Sequence, residues 1–128
     1  MAGISVRDIV ATAFKSNKEL NVDNLTVTHS APSTTVASTS LVSATASKTI
    51  QVYGLTMTAA NTVKVTFNST VGTTNTAVRA FNMIAGVPIV LPVGKNGDEH
   101  FAPAASAALT VSLSAAVDTN ITVKTKKE

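Results

Sequence analysis

The chain has 128 residues, 45% of them apolar and 13% charged, with a net charge of +3 and no cysteine. That is one domain's length with room for an appended arm, and about half the usual share of charge. The composition leaves out disulfide and thiolate chemistry, and no apolar run approaches the ~20 residues that cross a bilayer.

Roughly a quarter of the residues are Ser or Thr. Thr and Val suit strands, because branched Cβ atoms pack on a pleated surface. Hydroxyls then stand where charges usually do, and such a neutral face dehydrates easily against protein.

The N-terminal stretch is the one predicted helix, over residues 5–20. Val6, Ile9, Val10, Ala13 and Phe14 recur at spacings of three and four, which makes one apolar stripe. Ser5 and Asp8 resemble a capping box with a shortened acid. The stripe either docks on a partner or folds against the chain's own body. Arg7 and Asp8 interrupt any apolar core after Met1, so no secretory signal is expected.

Residues 21–45 read as an extended segment, with short strands expected near 21–28 and 39–45 around a Ser-, Thr- and Ala-rich stretch. With the helix they make an N-terminal arm, residues 1–45, ahead of a body spanning 46–128.

In the body apolar residues recur at every second position, the period of half-buried strands. Ile50 and Val52 set one phase, and Leu55 and Met57 resume one register later across Tyr53-Gly54. An extra residue beside a glycine predicts a β-bulge or a bend. Val63, Val65 and Phe67 alternate with outward Lys64 and Thr66, and residues 69–75 read as a polar loop around Gly72. A strand over 76–84 carries Arg79, with a second phase change expected between Ala80 and Phe81. Residues 87–93 hold Pro88 and Pro92, which cannot donate to a ladder and imply an edge or bulged strand. Asn96-Gly97 is the strongest turn signal. Residues 109–114 and 120–125 read as a hairpin closed by a five-residue loop. About eight strands at this spacing predict an all-β sandwich or barrel.

Catalytic constellations are hard to assemble. In a strand Asp98 and His100 point one way and Glu99 the other, and His29 is the only other imidazole. Gly94-Lys95 lacks both the upstream glycine and the following Ser or Thr of a phosphate loop. No Ser lies in a Gly-x-Ser-x-Gly turn, and the seven acids are scattered. The basic residues Lys124, Lys126 and Lys127 are not interleaved with aromatics for base stacking. The expectation is therefore a binding protein and not an enzyme, with no cofactor, no metal, no nucleic acid, no membrane and no small-molecule substrate.

Several strings then add up. They are Lys48-Thr49-Ile50-Gln51-Val52-Tyr53-Gly54-Leu55, Val63-Lys64-Val65-Thr66-Phe67-Asn68-Ser69, Ile89-Val90-Leu91-Pro92, His100-Phe101, and the run Ala107-Ala108-Leu109-Thr110-Val111-Ser112-Leu113-Ser114-Ala115-Ala116-Val117. In this order, over about residues 48–125, they resemble a family of small tailed-phage structural proteins of the capsid decoration (cement) or head-appendage type. The resemblance implies a jelly-roll-like antiparallel β-sandwich, often trimeric, with no catalytic residues. The loop after Gly94 departs from the family's aromatic and apolar tendency, since it carries Lys95, Asp98 and Glu99.

The expectation that follows is a virion protein, made in the host cytoplasm, that binds the major capsid protein on the outer capsid surface as a homotrimer. Val6, Ile9, Val10 and Phe14 are the expected anchors. Arg79, Lys95, Asp98 and Glu99 are the expected inter-subunit contacts. The rival expectation is a tail or head-fibre component that presents the sandwich to a host receptor.

Overall fold

The computed structural model describes residues 25–33, 39–94 and 99–128. Among them there is no helix, and eight strands follow in chain order: β1 (Thr26–Ser30), β2 (Thr39–Val42), β3 (Ile50–Ala59), β4 (Val63–Val71), β5 (Thr74–Met83), β6 (Ile89–Leu91), β7 (Ala108–Leu113) and β8 (Thr119–Lys127). They form two four-stranded sheets, ordered β1-β8-β3-β6 and β2-β7-β4-β5. Every pairing is antiparallel. The predicted helix over 5–20 lies outside the described residues.

The alternation decides what is buried. Ile50, Val52, Leu55 and Met57 of β3 share one face with Ile121 and Val123 of β8. They meet Val63, Val65 and Phe67 of β4 and Leu109, Val111 and Leu113 of β7 across a single core. Each such side chain, fully buried, contributes about 1.5–3 kcal/mol. Three rings meet within it: Phe67 lies 5.9 Å from Phe81 and 5.2 Å from Phe101, centroid to centroid.

The phase change at Tyr53-Gly54 is a bulge. Val52 pairs with Thr125 and Gly54 with Lys124, so Tyr53 is the extra residue. Its hydroxyl donates to Gln51 Oε1 at 2.6 Å. Gly54 is needed for packing: a Cβ there would lie 2.9 Å from Val93 Cγ2.

The second irregularity sits elsewhere than expected. Phe67 pairs with Arg79 and Asn68 with Ala77, which makes Val78 the extra residue, not Ala80 or Phe81. Arg79, Phe81 and Met83 therefore share the core-side face of β5, opposite Phe67, Val65 and Val63.

Two connections also differ. Residues 69–75 form no polar loop. β4 and β5 continue through them, Thr70 Oγ1 donates to Asn75 Oδ1 at 2.6 Å, and only Gly72 and Thr73 turn. Gly72 has φ +61°, the positive value that a type II′ hairpin needs at its first central position. β7 and β8 are not a hairpin; they lie in different sheets, so residues 114–118 cross from one sheet to the other. Residues 26–30 and 39–42, placed in the arm by sequence, supply an edge strand to each sheet.

Candidate interaction surface

The connections gather at two ends of unlike chemistry. At the first end the chain passes between the sheets at residues 60–62, 84–88 and 114–118, and β1 leaves toward Pro32. Backbone hydrogen bonds tie these segments together. The Gly86 N–H donates to the Ala59 carbonyl at 3.0 Å, Ala60 N–H to the Asp118 carbonyl at 2.9 Å, and Thr119 N–H to the Pro32 carbonyl at 3.0 Å. The Ser114 N–H donates to the Lys64 carbonyl at 3.0 Å, and the Lys64 N–H returns to Ser114 Oγ at 2.8 Å.

The turn from β5 to β6 is the tip of this end. The Val87 N–H donates to the Ile84 carbonyl at 3.0 Å, and Gly86 has φ +71°. Positive φ at the third turn residue is the type II geometry, which favours Gly. The turn holds Ile84 and Val87 outward, 62% and 50% exposed. Ala60, Ala85 and Ala116 are exposed beside it along the same connections. Asp118 is the one charged residue in them, and among the described residues its carboxylate has no ion-pair partner. Lys64 is the next charge, exposed and one residue inside β4.

The opposite end carries most of the charged groups, with Val71 also exposed there beside the Gly72 turn. Lys48 sits there beside Ser106, whose N–H donates to the Lys48 carbonyl at 2.8 Å. Glu128 and Thr49 exchange backbone hydrogen bonds of 2.9 and 2.7 Å, and Lys126 pairs with Glu128 at 3.1 Å. β1 starts at this end, since Thr26 pairs with Thr125 and Thr125 with Val52.

The sequence-predicted site residues do not form one group. Val6, Ile9, Val10, Phe14, Lys95 and Asp98 lie outside the described residues. Glu99 is exposed at the charged end, one residue before His100, whose N–H donates to the Val52 carbonyl at 2.8 Å and whose Nε2 lies 2.8 Å from the Pro92 carbonyl oxygen. Arg79 is on β5, the edge of the second sheet, with its guanidinium 5.3 Å from the Phe81 ring centroid. A charge on the core-side face of an edge strand hinders pairing with another strand, as does the bulge at Val78. β6, at the edge of the other sheet, is kept short between Pro88 and Pro92.

Ile84, Val87 and Asp118 did not stand out in the sequence. The available signal was two β-branched residues flanking Ala85-Gly86, where turn chemistry favours polar ones.

On the side of the second sheet away from the core, Lys64 is exposed near one end and other polar groups bond to one another, with Asn68 and Thr110 buried. Thr70 and Thr110 hydroxyls lie 2.8 Å apart, and Asn68 Nδ2 donates to Ser112 Oγ at 3.2 Å. A groove of about 260 Å³ on the other sheet, lined by Thr56, Val90, Val93, Thr122 and Lys124 among others, holds Lys124 as its one titratable group. Among the described residues no three His, Cys, Asp or Glu residues gather to hold a metal, and no helix is long and apolar enough to cross a membrane. No family model, curated protein or solved structure matches this chain.

Proposed function

We propose that this chain is a structural protein of a tailed-phage virion, which binds the outer capsid surface and reinforces the shell. The carrying observation is the nested strand pairing. β1 pairs β8, β2 pairs β7, β3 pairs β6 and β4 pairs β5, as one long hairpin rolled into two sheets. That order is a jelly roll, an architecture that viral capsid and lectin domains share. Fold alone does not assign function. The surface adds the rest: an end with exposed Ile84 and Val87, tied by backbone hydrogen bonds and suited to protein contact.

In this reading the partner is the major capsid protein, and three copies assemble about a common axis where capsid subunits meet. Val6, Ile9, Val10 and Phe14 anchor the arm. Arg79, Lys95, Asp98 and Glu99 serve contacts between copies. No bond is made or broken, and no cofactor is used. Many weak contacts repeated over a lattice gain by multivalency.

The rival, a receptor-binding fibre component, calls for an exposed aromatic platform or a sugar-binding carboxylate cluster. Phe67, Phe101 and Tyr53 are buried and Phe81 is half-buried, so the described aromatics serve the interior. The test is binding to capsid shells assembled without this chain. Saturable co-sedimentation with a raised shell melting temperature is expected. Absence of both would refute the reading.

A further inference from the structure

We infer that the end of the sandwich formed by the Ile84–Val87 turn and the 114–118 crossover is the seat of the body on its protein partner. The partner surface offers an apolar hollow for Ile84 and Val87 and a cationic side chain for Asp118. This rests on the virion reading above, in which that surface belongs to the capsid lattice.

Four observations carry the choice. Ile84 and Val87 are the most exposed large apolar residues of this end, at 62% and 50%, and a glycine turn fixed to β3 through Gly86 and Ala59 holds them. Rigid apolar groups lose little freedom on docking, which favours a contact of this kind. The neighbouring exposed residues Ala60, Ala85 and Ala116 are small and let a partner approach closely. The one charge in the connections of this end is negative, on a chain whose net charge is +3.

That charge also narrows the occupant. Anionic lipid or nucleic acid needs a cluster of cations at the contact, whereas these connections carry an aspartate with Lys64 beside them. A second copy joined tip to tip by a two-fold axis brings Asp118 near its own equivalent. A protein surface with a Lys or Arg meets both the apolar and the charged part. The residues before Leu25 join the body at the opposite end, where Thr26 pairs with Thr125.

The experiment measures binding of full-length protein to empty capsid shells prepared without this chain. It compares wild type, the double variant Ile84→Lys with Val87→Lys, Asp118→Lys alone, and Lys124→Glu on the outer face of the first sheet. Thermal melting of each protein checks its fold, and Asp118→Lys keeps the test available if the double variant fails to fold. The expected result is a loss of affinity of roughly tenfold or more for the double variant, the size of effect a central contact residue shows. Asp118→Lys is weakened several-fold, and Lys124→Glu binds as wild type. Wild-type binding by the folded tip variants, with wild type itself bound, overturns the inference and leaves the virion reading standing. No binding by wild type overturns both. A wild-type oligomer that the tip variants dissociate assigns the tip to a second copy, and also overturns the inference.

Discussion

Replacing Phe67 with Ala should remove the centre of the aromatic cluster. Phe67 is 0% exposed on a central strand of its sheet, with Phe81 at 5.9 Å edge-on and Phe101 at 5.2 Å tilted. Truncation of a buried Phe to Ala costs about 3–5 kcal/mol, the sum of lost transfer energy and the cavity left behind. The upper part of that range is expected, because two ring contacts are lost together and each aromatic pair adds about 0.5–1.5 kcal/mol beyond burial. A domain of this size has a total stability of about 5–15 kcal/mol. The variant should therefore melt roughly 10–20 °C below wild type and show a matching drop in urea midpoint at unchanged slope. Phe67→Leu keeps most of the volume and should cost about 1–2 kcal/mol. A loss below about 1.5 kcal/mol for Phe67→Ala would show that the three rings do not organise the core.

Gly86→Ala forces a Cβ into φ +71° and should cost about 1–2 kcal/mol in a chemical-denaturation curve; an unchanged midpoint would mean the turn adopts another geometry. Gly54→Val meets Val93 Cγ2, already 2.9 Å from a single added Cβ, and should destabilise by about 1–3 kcal/mol by the same assay. Arg79→Val should leave the melting temperature near wild type but raise the apparent mass in light scattering, because it removes the core-side charge of the β5 edge. Deletion of residues 1–20 should weaken co-sedimentation with capsid shells, and full binding by the shortened protein would remove the arm from the mechanism.

The strands of the body were legible where one face is fully apolar. β3 announces itself through Ile50, Val52, Leu55 and Met57, and the slip of phase across Tyr53-Gly54 located its bulge. Sheet membership was not legible. Leu109, Val111 and Leu113 face Ile121 and Val123 across the core. Alternation looks the same whether two strands pair side by side or face each other, and a five-residue connection permits both. The β4–β5 hairpin is longer than its sequence suggests, because Ser69, Thr70 and Asn75 look like loop residues. In the sheet, Thr70 satisfies Asn75 and Thr110 through its hydroxyl, so polar residues extend the strands. At the β5 edge the core-side face opens to solvent at the rim, and the Arg79 guanidinium rests there over Phe81.

The interaction surface was the least legible part. Ile84 and Val87 read as ordinary strand residues either side of a break, and only the fold makes the break a tip. Asp118 gains meaning only once the 114–118 crossover is seen beside Ala60.

The central claim concerns a position on a particle, and imaging tests it most directly. Electron cryomicroscopy of capsid shells, with and without added protein, should give difference density of the sandwich's size at symmetry-related sites on the outer surface. No added density on the shell, or density confined to the tail, would contradict the account.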